Sequence, residues 1–175
     1  MFGSNSHTRF DMLPPKPLRI YLAGPANELK YRSEIQENYG EVYDYGWVYE
    51  FIDPIKLTPP LVGIKLEDVL NGKVVLNLQQ KIDIVENDKK LILSSHVLIA
   101  YVEKFTCGTC MEILFSYQNK IPVYLISSIS SIRNDVWIGV HVHKITESID
   151  TCMEQIIKDF NIDMNFDLEG NTVLD

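Results

Sequence analysis

Glu112 is the residue whose type and spacing most clearly permit chemistry. It sits in Cys107-Gly108-Thr109-Cys110-Met111-Glu112-Ile113-Leu114, shortly after the apolar run His96 to Val102. The pattern reads as a strand feeding a glycine turn, which opens a helix carrying a carboxylate in its first turns. In open α/β sheets, ligands bind outside the carboxyl ends of the strands, where such turns lie. A carboxylate over such a pocket can act as a nucleophile on an anomeric carbon. A helix N-terminus favours its ionised form. The ordinary alternative for the same residue is a capping or surface glutamate.

Two other segments can meet this turn. In Tyr21-Leu22-Ala23-Gly24-Pro25, Gly24 permits a tight turn and a close backbone approach to a ligand. Tyr21 lies inside a strand pattern, where packing in the core is the default role. In Glu86-Asn87-Asp88, an acidic residue on a helix is usually part of a solvated face. Asp88 stands out because Leu91, Ile92 and Leu93 follow closely. They place it near a buried edge, where a carboxylate can hold sugar hydroxyls.

The elements that must position these residues follow from periodicity and turn signals. Leu18–Ala23 is a short β-type run closed by Gly24-Pro25. Asn27 to Tyr39 reads as a helix, with Asn27 as N-cap and Gly40 as its stop. Trp47 to Ile52 is a second strand. Leu57 to Gly72 holds Pro59, Pro60, Gly63 and Gly72 and reads as a loop over the strand ends. Leu76 to Leu93 has helical spacing, with Leu76, Ile82, Val85 and Leu91 as its buried stripe. Val97 to Glu103 is the third strand and Thr109 to Asn119 the next helix. Ile121 to Ile126 is the fourth strand, its Pro122 near the start where proline is tolerated. Val140 to Ile145 is a candidate fifth, and Ser148 to Phe160 a closing helix. Alternating strands and helices imply a parallel sheet covered on both faces, an α/β fold. Residues 1–17, ending in Pro14-Pro15-Lys16-Pro17, read as a flexible leader, 18–160 as one domain and 161–175 as a tail.

Composition narrows the function classes. The chain of 175 residues is 46% apolar, enough for one well-packed core. Its formal charge of −8 gives no long-range attraction for a nucleic-acid polymer or an anionic membrane. A nucleotide-like ligand would be small and held by local contacts. Three cysteines do not make a disulfide framework, no apolar run is long enough to span a bilayer, and the first residues lack a signal-peptide centre. A reducing cytoplasmic setting is the expectation.

Taken together, the three segments resemble the nucleoside 2-deoxyribosyltransferase family. The match runs from about Leu18 to Ile126 and continues more weakly to Phe160. The Tyr-x-x-Gly start at Tyr21, the Asn87-Asp88 pair and the Gly-x-x-x-Glu turn at Glu112 occur in the family's order and at similar spacings. The resemblance implies a flavodoxin-like, Rossmann-like three-layer fold with a five-stranded parallel sheet. It implies that Glu112 attacks C1′ of a 2′-deoxynucleoside, that Tyr21 orients Glu112, and that Asp88 binds the deoxyribose hydroxyls. The base would leave, a deoxyribosyl ester would remain on Glu112, and a second base or water would resolve it. A carboxylate that captures an oxocarbenium-like carbon suffices for this, with no metal and no organic cofactor. Gly24, Thr106, Gly108 and Thr109 are the candidate substrate-binding positions. The resemblance also implies a homo-oligomer in which a neighbouring subunit completes each pocket, with residues 134–140 a candidate region.

The match has one departure. Six positions before the glutamate the transferases often carry an aspartate that contacts the leaving base, and this chain has Thr106. The related 2′-deoxynucleoside 5′-monophosphate N-hydrolases tend to have serine there, near the phosphate. Thr106 is closer to that hydroxyl, and Lys104 is near enough in sequence to meet a phosphate. Threonine is equally an ordinary turn residue. Asp53 and the 55–72 stretch are alternative sources of a base contact. A nucleotide-binding module without turnover is a third reading, disfavoured because a pure binder does not need Glu112, Asp88 and Tyr21 together. Cys107-x-x-Cys110 has redox or half-zinc-site spacing but lacks further ligands at zinc-site spacing, Cys152, His141 and His143 included. His141 and His143 share a strand face with no third ligand, and Trp47, Trp137, Tyr39, Tyr43, Tyr45 and Tyr49 read as core or interface.

Overall fold

A computed structural model describes residues 17–26, 28–40, 49–65, 68, 71–73, 75–160 and 162. Among these residues, β1 (Leu18–Ala23), β2 (Tyr49–Ile52), β3 (Val97–Tyr101), β4 (Val123–Ile126) and β5 (Lys144–Thr146) form one sheet. Its order is β2-β1-β3-β4-β5, and all four pairings are parallel. This is the flavodoxin-like order, with the chain reversing direction across the sheet between β1 and β3.

Alternation along the strands splits the core in two. Leu18, Ile20 and Leu22 of β1 face a cluster with Val97, Ile99, Tyr124, Cys152, Met153 and Ile156. This layer is closed by α1 (Leu29–Tyr39) and the last helix, α7 (Ile149–Asp159). Tyr21 and Ala23 face the other way, with Leu98, Ala100, Ile92 and Ile113. The second layer is built on α3 (Leu78–Leu93) and α4 (Cys107–Gln118). Tyr21 therefore points toward α4 because it alternates with Leu18, Ile20 and Leu22 along β1.

Local sequence sets the helix ends. Asn77 and Gln80 make a capping box at α3, and Ser148 caps α7. Thr106 caps α4, its Oγ1 accepting from the Thr109 amide at 3.3 Å.

Three expectations change. The stretch from Leu57 is not all loop, because Pro54–Leu61 forms a helix, α2. Asp53 caps it and Pro54 occupies its first turn, a favoured proline position. Pro59 and Pro60 fall in the last turn, where neither has an amide to continue the helical ladder, and the helix ends at Leu61. The fifth strand is Lys144–Thr146 rather than Val140 to Ile145, because Asp135 caps a helix over 136–141. We number that helix α6 and the short Ser130–Arg133 helix before it α5. The buried stripe of α3 also differs: Ile92 is buried while Ile82 and Val85 are exposed. Only the C-terminal end of α3 lies against the sheet cluster. The leader up to Lys16, Asn27, Tyr43, Tyr45, Trp47 and the tail apart from Ile162 lie outside the described residues. Among the described residues no helix is long and apolar enough to cross a membrane.

Candidate active site

The Tyr21 hydroxyl donates to Glu112 Oε1 at 2.7 Å, joining residues 91 apart in sequence. β1 supplies the tyrosine from the sheet, and α4 supplies the glutamate from its second turn. Glu112 and Asp88 both line a cavity of about 510 Å³ between α3 and α4. Val85, Ile92, Met111 and Phe115 give it apolar walls. Cys107 and Gly108, from the first turn of α4, also line it. Its size lies within the range of small-molecule sites.

The electrostatics of the pair are asymmetric. Burial pushes the Glu112 carboxyl up to about 7, opposed by the Tyr21 hydrogen bond, raised further by the Asp88 charge and lowered by Arg32. The helix N-terminus does not decide this group's ionisation. Its effect fades beyond the first turn, and desolvation is larger. Burial, then the charges of Glu112 and Asp88, raise the Tyr21 phenol far above its ordinary range. Tyr21 is thus a permanent hydrogen-bond donor. Burial also raises Asp88, against a hydrogen bond from Thr58 and the charge of Arg32.

Behind the site lies a buried clamp. Arg32, 1% exposed, donates from Nη1 to Leu22 O at 2.7 Å and Asp53 Oδ1 at 2.9 Å, and from Nη2 to Gly24 O at 3.0 Å. Its guanidinium also sits 5.0 Å from the Tyr31 ring centroid. Asp53 Oδ1 accepts from Arg32 and from the Ile55 amide, and Asp53 is buried and outside the lining of the cavity. Gly24 has φ +153°, and a Cβ there would stand 3.1 Å from the Tyr31 ring and the Tyr101 carbonyl. The close approach at Gly24 is therefore made by Tyr31.

Against solved structures the chain resembles a 2-deoxyribosyltransferase from the psychrotolerant bacterium Bacillus psychrosaccharolyticus. The TM-score is 0.54 at 17% identity, over 89% of this chain and 99% of that one. A conserved protein from Enterococcus faecalis V583 matches at TM-score 0.50 and 15% identity, over 83% of this chain and 98% of that one. No family model matches the chain, and no curated protein matches it in sequence. At these identities the likeness establishes the fold, an α/β parallel sheet shared with a deoxyribosyltransferase.

Of the positions singled out in the sequence, Glu112, Asp88 and Gly108 line the cavity, and Tyr21 reaches it through Glu112. Thr106 and Thr109 stand outside its lining. Their hydroxyls meet each other at 2.8 Å, and Thr109 is buried. Cys107 is exposed and Cys110 half-buried, and both are free thiols. Burial raises the Cys110 thiol, the opposite of an activated redox cysteine. Among the described residues no group of three or more His, Cys, Asp or Glu side chains is placed to hold a metal ion. His141 ends α6, stacked on the exposed Trp137, and His143 lies 3.4 Å from Asp159.

Four residues escaped the sequence reading: Arg32, Tyr31, Thr58 and Lys89. Arg32 carried a signal, since it falls between Tyr31 and Ile35 on the inward side of α1. Thr58 was obscured by the prolines beside it, although Asp53-Pro54 is a recognisable helix start. Lys89 lines the cavity beside Asp88 and bonds Glu86 at 2.9 Å.

Proposed function

We propose that the protein cleaves the N-glycosidic bond of 2′-deoxynucleosides and passes the sugar to another nucleobase. The observation that carries this reading is the 2.7 Å hydrogen bond from Tyr21 to Glu112, in a cavity that Asp88 shares. Glu112, in its ionised form, attacks C1′ as the base departs with the bonding pair. A deoxyribosyl ester on Glu112 results, and an incoming base displaces the carboxylate. Tyr21 holds one carboxylate oxygen and leaves the other to react. Asp88 accepts hydrogen bonds from the sugar hydroxyls. Gly24, Thr106, Gly108 and Thr109 shape the turns that border the substrate. The steps draw on no metal or organic cofactor.

Hydrolysis of 2′-deoxynucleoside 5′-monophosphates is the second reading. Lys89 and the first turn of α4 favour it, because a cation and a helix N-terminus on one cavity can hold a phosphate. One experiment separates the two. The purified chain is incubated with a deoxynucleoside or its monophosphate, with and without a second free base, and the bases are followed by chromatography. A new deoxynucleoside that forms only with the second base supports transfer. Free base released regardless of acceptor, and faster from the monophosphate, supports hydrolysis.

Self-association belongs to the same reading. Met111, Val136, Trp137 and Val140 are exposed on α4 and α6, beside an apolar groove of about 360 Å³. Leu78, Ile82 and Val85 extend this apolar character along α3. Met111 lines both the groove and the cavity, so a second copy on this face would border the pocket.

A further inference from the structure

The carboxylate on α3 is held from behind. Thr58, on α2 and 3% exposed, donates from Oγ1 to Asp88 Oδ1 at 2.7 Å. The same oxygen accepts from Asn87 Nδ2 at 2.9 Å. A hydroxyl has one hydrogen to give. The Asn87 amide can only donate through Nδ2, so the Thr58 hydrogen is directed to Asp88. Thr58 does not line the cavity, whereas Asp88 does. The bond thus occupies one oxygen of Asp88 and leaves the second for a ligand. The adjacent residues Asn87 and Asp88 anchor the hydroxyl from both sides, which fixes α2 against α3.

We infer that Thr58 is a positioning residue for sugar binding, acting through the carboxylate of Asp88. This rests on the reading of Asp88 as the group that holds the deoxyribose hydroxyls. Thr58 sets the rotamer of Asp88 and stabilises its charged form. The charged and titratable groups that face Asp88 are Glu112 on α4, Tyr21 on β1 and Arg32 on α1, with Lys89 of α3 and Cys107 of α4 on the same cavity. Replacing Thr58 by valine leaves all of them in place and exchanges the hydroxyl for a methyl group.

Thr58→Val keeps the shape of the side chain and Thr58→Ser keeps the hydroxyl, so the two separate packing from hydrogen bonding. The full chain is assayed on thymidine, 2′-deoxyadenosine and 2′-deoxyadenosine 5′-monophosphate. The carboxyl carbon of Asp88 is titrated by NMR in the same proteins. Thr58→Val raises KM about tenfold or more, since hydrogen bonds to charged groups are among the stronger ones, and changes kcat by less than about threefold. It also moves the Asp88 titration midpoint to higher pH. Thr58→Ser restores both. Thr58→Ala gives the same KM and titration changes and carries the test if the valine variant does not fold. An unchanged KM and midpoint in Thr58→Val, or a serine variant as impaired as the valine one, overturns the proposal. The titration is independent of turnover. A wild type that cleaves none of the three probes overturns the functional reading, while the NMR midpoints still decide whether Thr58 governs Asp88.

Discussion

A carboxyl group that burial lifts to about 7 is only half ionised at neutral pH, and a nucleophile must be ionised. The acid limb of kcat/KM is therefore expected near pH 7, with activity falling as the pH drops below it. Tyr21→Phe removes a hydrogen bond that lowers the Glu112 value. Its acid limb moves to higher pH, and kcat falls by about tenfold to a hundredfold. A pH–rate profile of both proteins checks this. The same shift acts on stability. A folded carboxyl with a raised pKa binds its proton more tightly than the unfolded one does. It supports the fold fully below the ordinary value of 4.5, and that support is lost as pH rises through about 7. Glu112→Gln is therefore expected to stabilise the protein by about 1–3 kcal/mol at pH 8 and by little at pH 4, measured by urea unfolding.

At the scale of elements, the site depends on α2 and α1 as much as on α4. Asp53 joins them by capping α2 and pairing with the buried Arg32. Asp53→Ala strands that guanidinium and uncaps the helix, so it is expected to cost about 3–5 kcal/mol in a denaturation experiment. How much of this could be read in advance depended on the kind of signal. The strand at Tyr21 stands out because strand alternation is a local pattern, whereas the glycine turn expected before Glu112 is the first turn of α4, with Gly108 helical because Thr106 caps the helix two residues earlier. The two side chains converge because α4 covers the face of the sheet toward which Tyr21 points, an arrangement that a parallel sheet covered on both faces allows. The helix at Pro54–Leu61 was hidden by Pro59 and Pro60, which sit in its last turn and end it. The partners of Arg32 and Thr58 come from segments distant in sequence, and pattern reading does not supply such pairings. Thr106 carries a structural role that its type also allowed, that of capping α4.

At the scale of the molecule, a chain of net charge −8 leaves a large aromatic side chain, Trp137, 75% exposed on a three-helix face. Apolar patches of this kind mark association surfaces. Self-association through this face predicts that Trp137→Glu, which touches neither Tyr21 nor Asp88, shifts the wild-type oligomer toward smaller species in light scattering. A wild type that is already monomeric at assay concentration contradicts it. The cavity takes its lining from α3 and α4, and Tyr21 of β1 meets it through Glu112. The proposed reaction requires Glu112 to become covalently attached to the sugar. The most direct measurement is intact-protein mass spectrometry after a rapid acid quench, with deoxynucleoside and no acceptor base, followed by peptide mapping. The expected result is a mass increase of one deoxyribosyl group on the peptide carrying Glu112, absent in Glu112→Ala. Base release by the wild type with no adduct at any quench time, or an adduct that persists in Glu112→Ala, would contradict it.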